Sequence, residues 1–92
     1  MPQHSFDDLL DDVPEQRLAK VRTGLKRLTP RELEVLKRAI SGETAGDSAG
    51  NLGISVRTVE LHRQQVLAKL DVKNLTQAVR MIALAQRDQP RH

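Results

Sequence analysis

The stretch Ile54 to Leu70 constrains this chain more than any other. Wound at about 100° per residue, it lines up Val59, Val66 and Leu70 at the spacing of a core-facing helical seam. The opposite line reads Arg57, Glu60, Leu61, Gln64 and Ala68, and a flank carries Thr58, His62, Gln65 and Lys69. A face meant only for water has no need of a leucine set among side chains that hydrogen-bond. Ser55 stands where an N-cap belongs, and Gly53-Ile54 ahead of it reads as a tight turn with an apolar anchor. Such a helix suits the DNA major groove, where base edges are read by hydrogen bonds and by apolar contact with the thymine methyl. An ordinary amphipathic surface helix with one stray leucine is the plainer alternative.

Composition narrows the setting. A chain of 92 residues makes one domain, which buries only about 60–65% of its unfolded surface. Phe6 is the single aromatic residue, so the core must be aliphatic, and the lack of aromatics argues against single-strand and RNA binders, which stack bases on such side chains. With no cysteine there is neither a disulfide nor a thiolate metal site. The longest apolar run, Met81 to Ala85, is far short of a membrane span. The acidic N-terminus lacks the basic and apolar regions of a signal peptide. The default expectation is a soluble cytosolic protein with no membrane partner.

The net charge of +3 is unevenly spread. Residues 1–13 hold Asp7, Asp8, Asp11 and Asp12 without a lysine or arginine, whereas residues 14–28 set Arg17, Lys20, Arg22, Lys26 and Arg27 against Glu15 alone. A basic balance permits a polyanionic partner without demanding one.

Taken in order, Ser5 to Asp8 has capping-box spacing, and Phe6, Leu9, Leu10 and Val13 follow at helical intervals. Pro14 ends that short helix or starts the next. Leu18, Val21, Leu25 and Leu28 form a narrow seam on a basic helix, loosened by Gly24 at a cost of about 1 kcal/mol. This is either a connector lying on the domain or a docking seam. Thr29-Pro30-Arg31-Glu32 is a capping box with proline in the first turn, opening a helix that carries Leu33, Val35, Leu36, Ala39 and Ile40. Thr44 caps a short helix over 45–52, with Ala49 and Leu52 inward, and Gly53 stops it. With the helix from Val56, this makes a helix-turn-helix. Asn74 caps a last helix, with Leu75, Val79 and Ile82 on one side and Met81 and Leu84 on the other, so that helix calls for two partners.

From Leu28 through Ala85, the residues Leu28-Thr29-Pro30-Arg31-Glu32, Gly42, Ala49, Leu52-Gly53-Ile54-Ser55, Thr58-Val59-Glu60-Leu61-His62-Arg63 and Lys69-Leu70 resemble one family. It is the LuxR/FixJ/GerE-type DNA-binding domain of bacterial transcription regulators. The resemblance implies an all-α fold: four helices with a central helix-turn-helix, here preceded by one or two additional N-terminal helices. It also implies a third family helix in the major groove and a fourth that pairs two subunits. Residues 1–28 are then an acidic segment and connector helix, 29–86 the DNA-binding domain, and 87–92 a frayed tail.

Carried over by position, the resemblance sets Glu60, Leu61 and Gln64 against base edges and Thr58, His62 and Lys69 against phosphates. Thr44, Ser55, Arg57, Gln65 and Lys73 complete the expected DNA-binding set, and Met81 and Leu84 form the expected dimerisation surface. The implied partner is double-stranded DNA, bound by a homodimer, with a longer regulator or RNA polymerase as further candidates. No cofactor, metal or catalytic residue is expected: no nucleophile stands beside a base, and no glycine-rich phosphate loop follows a strand. The competing function is an interaction protein that pairs with a longer regulator and silences it. One departure stands out. The family has an apolar residue before Ala49, whereas Ser48 stands here between Gly46 and Gly50, which predicts a weak scaffold helix.

Overall fold

The computed structural model describes residues 13–87, which form five helices and no strand among the described residues. They are α1 (Glu15–Lys26), α2 (Pro30–Ile40), α3 (Ala45–Leu52), α4 (Val56–Leu70) and α5 (Leu75–Arg87). The expected capping box at Ser5 to Asp8, the helix through Phe6 and most of the expected tail lie outside the described residues.

Four of the five helices start at a local side-chain cap, and α1, which follows Pro14, has none. Thr29 Oγ1 accepts from the Glu32 amide at 3.1 Å while Glu32 returns a bond to the Thr29 amide at 3.0 Å. Thr44 and Asp47 do the same at the head of α3. Ser55 Oγ accepts from the Thr58 amide at 3.0 Å and starts α4. Asn74 accepts from the Gln77 amide, and the Gln77 side chain reaches back to the Lys73 amide. These bonds satisfy amides that a helix leaves open at its N-terminus. Gly53, at φ 69°, ends α3 in the left-handed conformation and turns the chain into α4.

Two apolar clusters hold the helices together. The larger gathers Leu18 and Val21 of α1, Leu36 of α2, Val66 and Leu70 of α4, Val72, and Ala78, Met81, Leu84 and Ala85 of α5. The smaller is Val35, Ala49 and Val59, with Ala45, Leu52 and Ile54 packed around it. α1 therefore lies on the domain as an integral layer. Gly24 shows how closely: a Cβ there would run into the carbonyl oxygen of Lys69. The glycine expected to loosen α1 is what lets it touch the end of α4.

The last helix corrects an expectation. Met81 and Leu84 are 3% and 7% exposed, because α1 lays Leu18 and Val21 over them. Val79, on the opposite side, is 40% exposed, and Leu75 and Ile82 are half-buried beside it. Helical spacing revealed two apolar faces correctly but could not say which one α1 would cover.

Candidate nucleic-acid interface

The seam of α4 faces inward, with Val59, Val66 and Leu70 almost fully buried. That orientation turns Arg57, Glu60, Leu61, Gln64, Gln65 and Ala68 to the outside, all exposed. Leu61 is 44% exposed, and Val56, which the sequence reading passed over, is 45% exposed at the head of the same helix. No described hydrogen bond or ion pair occupies Arg57, Glu60, Gln64 or Gln65. This face thus carries free donors and acceptors with an apolar patch among them, on a helix of a width that the major groove admits.

The remaining expected site residues divide by what already holds them. Thr44 and Ser55 cap α3 and α4 through their hydroxyls and remain exposed. Thr58 is half-buried, its hydroxyl 2.8 Å from that of Ser55. His62 is half-buried on the flank, and Lys73 is exposed in the turn after α4. Lys69 departs from the expectation. Its ammonium donates to Glu32 Oε1 at 2.6 Å and to the Arg27 carbonyl at 3.2 Å, joining the ends of α1 and α4 to the start of α2. The Lys69 hydrogen bond, then the bond from the Thr29 amide, hold the Glu32 carboxyl below its ordinary pKa against the opposing effect of burial. The charge of Lys69 is matched inside the domain, so it is not a free cation turned toward a phosphate.

Residues outside the expected set hold the scaffold helix. Glu43 accepts from Arg38 Nη1 at 3.0 Å, from the Ser48 hydroxyl at 3.1 Å and from Asn51 Nδ2 at 3.3 Å. Its carbonyl accepts from Arg63 Nη2 of α4 at 3.0 Å. Ser48 is fully buried, so the hydroxyl that looked like a missing core side chain is satisfied by a carboxylate instead. Sequence offered one hint only, an acid directly before the α3 cap with arginines at 38 and 63.

The comparisons with known proteins agree with this geometry. A model of the bacterial regulatory proteins, luxR family, matches residues 26–82, which span α2, α3, α4 and most of α5. The chain belongs to the luxR family. It is 43% identical over 61 residues to the transcriptional regulatory protein FixJ of Rhizobium meliloti, covering 66% of this chain and 30% of that protein. It is 47% identical over 53 residues to the quorum sensing-dependent transcriptional regulator RpaR of Rhodopseudomonas palustris, covering 58% and 22%. Against the transcriptional regulatory protein LiaR of Bacillus subtilis it is 43% identical over 51 residues, covering 55% and 24%. The chain therefore spans under a third of the length of these relatives. No solved structure matched it. Residues 26–82 thus belong to a family of regulatory proteins rather than of enzymes. Among the described residues, no helix is long and apolar enough to cross a membrane.

Proposed function

We propose that this protein regulates transcription by binding double-stranded DNA, with α4 in the major groove. The observation that carries the reading is the outward face of α4: Arg57, Glu60, Leu61, Gln64 and Gln65 are exposed and uncommitted on a helix fixed from behind by Val59, Val66 and Leu70. Gln64 can pair with adenine, Leu61 can cover a thymine methyl, and Glu60 can accept from cytosine N4. A carboxylate repels phosphate, so Glu60 has a place on such a face only at a base edge. Thr44, Ser55, Thr58, His62 and Lys73 are the candidates for phosphate contact, which supplies register and affinity but little sequence information. Lys69 leaves that group, since Glu32 holds it.

We also infer that two copies pair through the outer side of α5, where Val79 is exposed next to Leu75 and Ile82. A twofold dimer of this kind binds half-sites about one helical turn apart. Selection of bound duplexes from a random pool tests both statements, with an inverted repeat as the expected result. Glu60→Ala should then relax preference at one position per half-site, worth about 1–3 kcal/mol, with little change in melting temperature. Uniform loss of affinity for every sequence, or a pool without enrichment, would sink the reading.

A further inference from the structure

An open groove runs between α1 and the C-terminal end of α4, lined by Lys20, Thr23 and Arg27 on one side and by Ala68, Lys69 and Asp71 on the other. Its volume of about 520 Å³ would admit a small molecule, but such sites are mostly apolar, and this lining is charged on both sides. Lys20, Thr23 and Arg27 stand at i, i+3 and i+7, so they share one face of α1, and all three are exposed. Lys69 is committed to Glu32, whereas no described bond holds the Arg27 guanidinium. Asp71 is the one acid among these lining residues. It faces Lys20 at 4.0 Å with both side chains about two-thirds exposed, a pair too weak to compete with a phosphate.

Two observations set this groove beside the outward face of α4. Ala68 is exposed on the line of Leu61 and Gln64, one turn or about 6 Å beyond Gln64. α1 also crosses α4 in direct contact, since a Cβ on Gly24 would meet the Lys69 carbonyl oxygen. Packed helices lie about 8–10 Å apart axis to axis. A helix lodged in a major groove about 12 Å wide has a phosphate strand along its side at a comparable distance. Lys20 and Arg27, about 10 Å apart along α1, stand where that strand would pass.

We propose that α1 is a second DNA-contacting element, with Lys20, Thr23 and Arg27 holding the phosphate backbone that borders the C-terminal end of α4. The inference rests on the DNA-binding reading and extends it to a helix that lies almost wholly ahead of the residues matched by the luxR family, 26–82. α1 then adds affinity and register but no base preference.

The test uses the full chain and a duplex carrying the site selected from a random pool. For Lys20→Gln and for Arg27→Gln, the slope of log affinity against log salt should become shallower by about 0.9 each. Between 50 and 200 mM salt, each variant should therefore lose roughly 3.5-fold less affinity than the wild type. The ranking of sequences and the melting temperature should not change. Lys26→Gln removes the same charge from an exposed position of α1 outside the groove and should keep the wild-type slope. An equal fall in slope for Lys26→Gln would reduce the effect to net charge and overturn the proposal. Wild-type slopes in Lys20→Gln and Arg27→Gln, with sequence-specific binding intact, would overturn it while the reading of α4 stands. A wild-type chain that enriches no duplex, yet holds single-stranded RNA through Lys20 and Arg27, would overturn both.

Discussion

The two ends of α4 are held by different chemistry. At its C-terminal end, Val66 and Leu70 sit in the larger aliphatic cluster with α1 and α5. At its N-terminal end the apolar cluster has only Val35, Ala49 and Val59 as buried members, and the rest of the attachment is polar, centred on Glu43. Apolar burial is non-directional and tolerates small displacements, whereas hydrogen bonds weaken steeply when misaligned. The C-terminal end thus supplies most of the stability. The N-terminal end, which carries the reading face, depends on geometry.

Four single substitutions, and one combined with a second, can break or sharpen that contrast. The largest effect should come from Leu70→Ala, which removes a fully buried side chain from the larger cluster. It should cost about 2–5 kcal/mol in urea denaturation. A loss under about 1 kcal/mol would show that the cluster is not the main support.

Gly24→Ala comes next, since its methyl meets the Lys69 backbone and forces α1 away from α4. About 2–3 kcal/mol should be lost, with ANS fluorescence rising as Met81 and Leu84 lose their cover. A wild-type melting curve would place α1 elsewhere.

Glu43→Ala should cost about 1–3 kcal/mol by leaving the Ser48 hydroxyl without its partner in a buried site. Amide exchange should accelerate in α3 well before α5. Combining it with Ser48→Ala should recover part of the loss, because both partners are then gone. Equal acceleration in all helices would mean that the two ends of α4 are not separable.

The smallest effect concerns pH. The Glu32 pKa is lowered in the folded state, so its stabilisation is complete above the unfolded carboxyl value of about 4.3. It disappears as pH falls through the lower folded value. Lys69→Met, lacking the first cause of the shift, should show a shallower fall in stability below about pH 4.5. Parallel acid curves for the two proteins would remove the Glu32–Lys69 pair as an acid-sensitive contact.

What could be read from sequence was what is decided locally. The caps at Thr29, Thr44, Ser55 and Asn74 each depend on a partner three residues on. The Val59–Val66–Leu70 seam depends only on helical period, so the exposed face of α4 followed from it. Lys69 was misjudged because its partner, Glu32, lies 37 residues away. Glu43 was missed because it binds α4 across 20 residues, and no periodicity encodes a tertiary polar bond. The inversion of Met81 and Leu84 has the same origin: a helical wheel ranks the faces of α5 but knows nothing of α1.

The bond between Lys69 and Glu32 also sets a lever. α4 has 15 residues and so runs about 22 Å from the turn at Ser55 to the junction at Lys69. Three helices meet at that junction, and the far end is where side chains protrude. A rotation of only about 5° about the Lys69 end would swing the Ser55 end through roughly 2 Å over that length, more than half a hydrogen-bond distance. Aim at the tip is therefore governed by a pivot that itself points at nothing outside the protein.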